Sequence, residues 1–194
     1  MPQASKALGK KFEVWLELLL LGLGKERVLR NVEIHKDRFT YRQADLIYEQ
    51  ANKGRIETVI VEAKYVSGAC LHYYLRKGPL KKIGAPTLIN NVVDEVLERK
   101  SFVGADHAVL VTNKHFDSRT LSSTDSSSII FIDREMLMNN YAKMLERSGI
   151  RNHISLEQSI AMIDLQRQNM CKNIIYIPRC PARHNTILYA YSNA

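Results

Sequence analysis

Apolar residues recur at helical spacing near the start of the chain. Phe12, Leu16, Leu19 and Leu23 fall on one line, widened by Trp15 and Leu20, which predicts an amphipathic helix over 6–22. Gly22 and Gly24 mark its end. The period then shortens. Residues 28–34 alternate partly between apolar and polar, 39–48 are rich in aromatic and apolar side chains, and 58–66 contain Val59-Ile60-Val61. Each reads as a strand, and the unbroken valine–isoleucine run predicts burial on both faces. The turn-like run 50–55 joins the last two into a hairpin.

Residues 67–86 are irregular, broken by Gly68, Gly78, Pro79, Gly84 and Pro86. A helix is predicted over 87–100, a strand over 107–112, a polar loop over 118–128, a strand over 129–132 and a helix over 135–147. Beyond Gly149 the pattern changes to a short helix over 156–168 and a strand over 174–177, with Pro178 and Pro181 breaking the rest. This order predicts an α/β fold, a mixed sheet flanked by helices. It occupies residues 1–148, with a C-terminal extension over 149–194 whose role the pattern leaves open.

Composition narrows the partner. The chain is 45% hydrophobic and 25% charged, with a formal net charge of +8. Such an excess draws polyanions, nucleic acid first among them. Cys70, Cys171 and Cys180 make an odd, low count, so no disulfide framework is expected. A reducing cytoplasmic or nuclear setting follows, and secretion does not. Leu18-Leu19-Leu20-Leu21 is far too short to span a bilayer. Cys171, Cys180 and His184 lack a zinc-binding spacing, so buried thiols are the expectation there.

The chemistry centres on Glu62-Ala63-Lys64, at the end of the buried run. Residues i and i+2 of a strand share a face, with roots roughly 6–7 Å apart. A buried carboxylate and ammonium are costly unless paired or bound to a metal. A second triplet, Glu98-Arg99-Lys100, lies on the predicted helix and reads as a solvated face. Asp45, among Ala44, Leu46 and Ile47 on the neighbouring strand, separates the two cases. Two carboxylates on adjacent strands make a cradle for a hard cation such as Mg²⁺. A lysine beside it can position or help deprotonate a water, while the metal stabilises charge on a phosphate. The plain alternative is an ion pair between Asp45 and Lys64.

Asp45, sixteen intervening residues and Glu62-Ala63-Lys64 resemble the PD-(D/E)xK nuclease signature, with Ala44 in place of its proline. Around that motif the chain resembles Mrr-type endonuclease domains and archaeal Holliday junction resolvases. The features are Phe12-Glu13 on the first helix, Leu21-Gly22-Leu23-Gly24, the strand and turn over 109–116, and the strand and helix over 130–137. The likeness covers roughly 10–147. It implies a restriction endonuclease-like fold and a Mg²⁺-dependent DNA endonuclease, with Mn²⁺ able to substitute. Asp45, Glu62 and the Ala63 carbonyl would ligate the metal, and Lys64 would orient the attacking water. Glu13 would reach the metal or its water shell, with Glu17 as the substitute if the helix is rotated. Gln43 shares a strand face with Asp45. A homodimer acting on duplex or branched DNA is implied, RNA remaining open. Two other readings stand beside it: a branched-DNA resolvase of the same fold, and a non-catalytic nucleic-acid-binding protein.

The basic and aromatic run over 72–82 follows the candidate strand. Arg76, Lys77, Lys81 and Lys82 are its candidate phosphate contacts, and its aromatic residues can stack on bases. A solvated loop is the competing reading. Lys114 and His115, at the end of a strand, are weaker candidates.

Overall fold

The first helix runs as α1 (Pro2–Gly22) in the computed structural model, which describes residues 2–74, 91–123, 128–149, 154–165, 173–176 and 190–191. Phe12, Trp15, Leu16 and Leu19 are buried, as the stripe predicts. The helix ends in a Schellman motif. The Lys25 N–H donates to the Leu20 carbonyl at 3.0 Å, the Gly24 N–H to that of Leu21 at 2.9 Å, and Gly24 has φ +79°. Glycine enters that left-handed region without the Cβ penalty.

An antiparallel meander follows: β1 (Glu26–His35), β2 (Tyr41–Asn52) and β3 (Arg55–Lys64). The β2–β3 hairpin turns at Lys53 and Gly54, both with positive φ. Such a turn matches the twist of the flanking strands. The remaining described elements are β4 (Cys70–Leu71), α2 (Val92–Val103), β5 (His107–Thr112), β6 (His115–Phe116), α3 (Ser118–Ser122), β7 (Ile130–Ile132), α4 (Arg134–Arg147), α5 (Leu156–Ala161), β8 (Asn173–Tyr176) and β9 (Ala190–Tyr191).

The main sheet has the order β7-β5-β3-β2-β1-β8-β9. β3, β5 and β7 run parallel, and β8 joins β1 in parallel. The fold is α/β, a mixed sheet flanked by helices. On one face Phe12, Trp15, Leu16 and Leu19 of α1 and Leu137 of α4 share a core with Leu46, Val59, Val61, Val109 and Val111. On the other, Val92, Val93, Val96 and Val103 of α2 pack with Ile60, Ala108 and Leu110. β3 thus feeds both cores, as Val59-Ile60-Val61 predicts.

Described parts of the segment after Gly149 pack on this body. Leu156 and Ile160 of α5 join the core beneath α1, and β8 extends the sheet beyond β1. Two small features lie where only loops were expected. Asp117 caps the short α3, its side chain accepting from the Thr120 N–H. β4 pairs with β6 outside the main sheet. Among the described residues no helix is long and apolar enough to cross a membrane.

One irregularity positions the candidate site. In a regular strand, residues two apart share a face. In β1, Arg30 reaches Glu17 of α1, yet Val32 belongs to the core under α2. In β2, Leu46 belongs to the α1 side and Ala44 to the α2 side. Arg30 pairs with Leu46 and Val32 with Ala44, so both strands change face between those pairs, at Asn31 and Asp45. Asn31 absorbs the change with φ +55°, a conformation asparagine tolerates better than most residues.

Candidate active site

The β2–β3 ladder stops at Leu46 and Val61. Past that point the Asp45 carboxylate takes the Ala63 N–H at 2.8 Å. The face change at Asp45 thus turns its side chain toward the carboxyl end of β3, where Glu62, Ala63 and Lys64 lie. On the far side, β3 continues against β5 as far as Lys64 and Thr112. The exit of β3 is braced from β5 by the buried Asn113. Its side chain accepts from the Val66 N–H at 2.7 Å and donates to the Val66 carbonyl at 3.0 Å.

Glu62 is buried and faces α2. One of its oxygens accepts from Lys64 Nζ at 2.6 Å, and the other is paired with Arg99. Glu95, one helical turn before Arg99, holds the same two cations. Its oxygens lie 2.9 Å from Lys64 Nζ and 2.8 Å from the Arg99 guanidinium. Two carboxylates and two cations therefore close a ring between β3 and α2. This corrects the expectation for Glu98-Arg99-Lys100. Arg99 is 19% exposed and points into the site, Glu98 pairs with Arg42, and Lys100 donates to the Ser128 carbonyl. The triplet is engaged, not a solvated face. Lys64 likewise pairs with Glu62 and Glu95, while Asp45 bonds the Ala63 N–H.

The acids outside the ring are electrostatically unlike it. Burial, then the charges of Glu62 and Glu13, push the Asp45 carboxyl well above the usual aspartate range, against the opposing pull of the Ala63 N–H and Lys64. Glu13 is also raised, by burial first and with repulsion from Glu62, although Lys10, Arg30 and Lys64 oppose the shift. Glu13 is held beside the site because its neighbours anchor α1. Phe12 packs edge-on to Tyr65 at 5.9 Å, and Trp15 lies 5.4 Å from Tyr141. Glu17, the substitute, is committed elsewhere, accepting from Arg30 at 2.8 Å. The Lys64 ammonium is raised: burial opposes its charge, and the attraction of Glu62 and Glu95 prevails. At neutral pH it is a charged donor, not a base.

The other predicted residues are placed as follows. Gln43 is exposed and contacts Asn31 at 3.4 Å. His72 lies 3.4 Å from Asp117, and Arg119 stacks over Tyr73 and Tyr74. Lys114 pairs with Glu157, and His115 with the α4 cap Asp133. Arg76, Lys77, Lys81, Lys82, Cys171, Cys180 and His184 lie outside the described residues. Sequence reasoning missed Glu95, Arg99 and Asn113. The four-residue spacing of Glu95 and Arg99 was a signal of an ion pair on one helix face. Nothing in the spacing told that this face meets Glu62.

Among the described residues no three histidine, cysteine, aspartate or glutamate side chains form a metal-binding group. Mg²⁺ does not demand one. It is commonly held by one or two carboxylates, with waters and phosphate oxygens completing its octahedron. Asp45, Glu62 and the Ala63 carbonyl are hard oxygen donors of that kind, and the charges of Glu62 and Glu13 add to burial in raising Asp45. The donor set fits a divalent cation, provided that Glu62 gives up an ion pair.

No family model and no curated protein matches the chain. Two solved structures are similar to it. One is AF1548, a protein of unknown function, with TM-score 0.47 and 13% identity, covering 82% of this chain and 73% of that one. The other is AspBHI, a DNA modification-dependent restriction endonuclease, with TM-score 0.43 and 15% identity, covering 83% of this chain and 38% of that one. The chain thus spans well under half the length of AspBHI.

Proposed function

We propose that the protein is a divalent-metal-dependent DNA endonuclease centred on Asp45, Glu62 and Lys64. One observation carries this reading. Two carboxylates from adjacent strands come to the carboxyl end of β3, Asp45 on the Ala63 N–H at 2.8 Å and the buried Glu62, in a chain whose formal net charge is +8, and burial first, then the charges of Glu62 and Glu13, raises the Asp45 carboxyl. Negative charge concentrated inside a basic protein is costly unless a cation relieves it. Mg²⁺ or Mn²⁺, held by Asp45, Glu62 and the Ala63 carbonyl, would polarise the phosphate and acidify a bound water.

The side chains supply the rest. The Lys64 ammonium, held between Glu62 and Glu95, orients the attacking water and donates to a phosphate oxygen. Asp45, fixed through one oxygen by the Ala63 N–H, would offer the other to the metal. Glu13 holds water at the margin. The net positive charge raises the local concentration of nucleic acid. A homodimer would present two such sites for paired cuts.

The test incubates full-length protein with linear duplex, single-stranded DNA, four-way-junction DNA and RNA, in Mg²⁺, Mn²⁺ or EDTA. DNA cutting that requires the metal is expected, together with its loss in Asp45→Ala, Glu62→Ala and Lys64→Ala variants that keep the wild-type circular dichroism. Cutting confined to the junction would assign a resolvase. No cleavage of any substrate, or robust metal-dependent cleavage by all three variants, would overturn the reading.

A further inference from the structure

Both oxygens of Glu62 are taken, one by Lys64 and one by Arg99. If Glu62 is a metal ligand, a divalent cation and Arg99 compete for the same oxygen. The geometry around Arg99 provides for that exchange. Its guanidinium forks, one nitrogen on Glu62 and the other 2.8 Å from Glu95, on its own helix. Lys64 is forked in the same way, at 2.6 Å from Glu62 and 2.9 Å from Glu95. Each cation therefore keeps a carboxylate partner when Glu62 turns away. Asn91 caps α2 and Gly104 closes it with φ +71°, so Glu95 and Arg99 sit on a well-terminated helix.

We infer that Arg99 is a resident counterion of Glu62 that a divalent cation displaces, with Glu95 as the acceptor that retains Arg99 and Lys64 once the exchange has occurred. This rests on the metal-site reading above. Glu95 and Arg99 are positioning residues in this scheme, acting through Glu62 and Lys64. Arginine suits the role because its charge does not titrate in the working range and its planar fork spans two carboxylates. With Glu62 neutralised before metal arrives, the site avoids an uncompensated buried carboxylate.

The two helix residues should shift metal affinity in opposite directions, which a merely structural ion pair would not do. The experiment titrates Mn²⁺ alone into metal-free full-length protein by calorimetry, with thermal melts in EDTA to establish folding. Arg99→Gln removes the competitor and is expected to tighten Mn²⁺ binding about tenfold, the usual scale for residues around a metal's ligands. Glu95→Gln leaves both cations dependent on Glu62 and is expected to weaken binding by about the same factor. Arg99→Lys keeps the charge but loses the fork, so it should tighten binding less than Arg99→Gln. If Arg99→Gln fails to fold, the lysine variant carries the same test.

Unchanged or weaker binding in both folded Arg99 variants, or tighter binding in Glu95→Gln, would overturn the proposal. Asp45→Asn separates its failure from that of the parent reading. Mn²⁺ binding lost in Asp45→Asn but equal in wild type and Arg99→Gln sinks the counterion role alone. An absence of Mn²⁺ binding in wild type and Arg99→Gln together sinks both.

Discussion

Two charged clusters stand at the carboxyl ends of parallel strands in the same sheet, and they are built on opposite principles. After β5 and β7, Arg134 grips Glu157 with both guanidinium nitrogens, and Lys114 lies 3.3 Å from the same carboxylate. There cations outnumber acids, and Glu157 is 41% exposed. Its carboxyl is lowered to about 2, chiefly by the hydrogen bond from Arg134. At the end of β3 the ring of Glu62, Lys64, Glu95 and Arg99 is electrically balanced, but Asp45 and Glu13, which feel the charge of Glu62, are raised, by burial first. A cluster that lowers its acid has met its own charge and ties α4 to α5. A cluster whose acids are raised, by burial first and by neighbouring carboxylates second, holds acids that its own cations do not fully compensate, and a bound cation would relieve them.

The widest separation between the two should be in catalysis. Asp45→Ala is expected to lower Mg²⁺-dependent cleavage by at least about 10²-fold, as losing a group that stabilises transition-state charge does. Glu157→Gln should stay within about twofold, since that side chain only ties two helices. Nicking of a labelled duplex measures both. Equal losses in the two variants would erase the distinction.

Much of this arrangement was legible in the residue pattern. The run Val59-Ile60-Val61 announced a strand buried on both faces, and acids at Asp45 and Glu62 among apolar neighbours marked the candidate site, because burial makes an unexplained charge expensive. Glu95 and Arg99 were not legible as site residues. Their meeting with Glu62 depends on how α2 packs across β3, a contact between residues 37 positions apart. The face change at Asn31 and Asp45 was also hidden, since period-two alternation predicts no such break. The strand at 174–177 was readable, but not that it joins β1: pairing is a long-range choice that a four-residue strand does not encode.

The next difference is structural. Asn113 braces the exit of β3 through two hydrogen bonds to Val66 and is almost wholly buried. Asn113→Ala takes both partners from the half-buried Val66 N–H and carbonyl, which costs about 1–3 kcal/mol where water does not replace them. Chemical denaturation should show that loss. Cleavage should fall further than the loss of folded protein explains, because Lys64 lies two residues before Val66. A variant that is less stable but cleaves normally per folded molecule would show that the brace does not position Lys64.

A smaller effect, opposite in sign to most substitutions, is expected at Asp45. A carboxyl whose folded pKa is raised contributes stability below its unfolded value and loses it as pH rises through the folded value. Ionising Asp45 therefore costs the metal-free protein stability as pH rises. Asp45→Asn keeps an acceptor for the Ala63 N–H and removes the repulsion. The metal-free melting temperature at pH 7 should rise, by about 2–4 °C for each kcal/mol relieved. The gain should shrink as pH falls and wild-type Asp45 takes up its proton. Added Mn²⁺ should raise the melting temperature of wild type and not of the variant. A variant that melts lower than wild type at pH 7 would mean that Asp45 is already compensated.

The smallest effect belongs to Glu157, and its pH dependence runs the other way. Its folded pKa lies at about 2, below the ordinary 4.5. The stability it contributes is present above the unfolded value and is lost as pH falls from about 4.5 toward about 2. Glu157→Gln should therefore melt below wild type at pH 7, with the two curves converging in that acidic window. Because the carboxylate is 41% exposed, solvent screens the pair, and the difference at pH 7 should stay under about 1 kcal/mol. Salt at 0.5 M should narrow it further, whereas the partly buried ring around Glu62 should be much less sensitive. Equal salt sensitivity would mean that the ring is as open to solvent as the Arg134–Glu157 pair. The carboxyls of Asp45 and Glu13 beside it would then be screened by water and salt, and the electrostatic case for a cation beside Asp45 would lose its force.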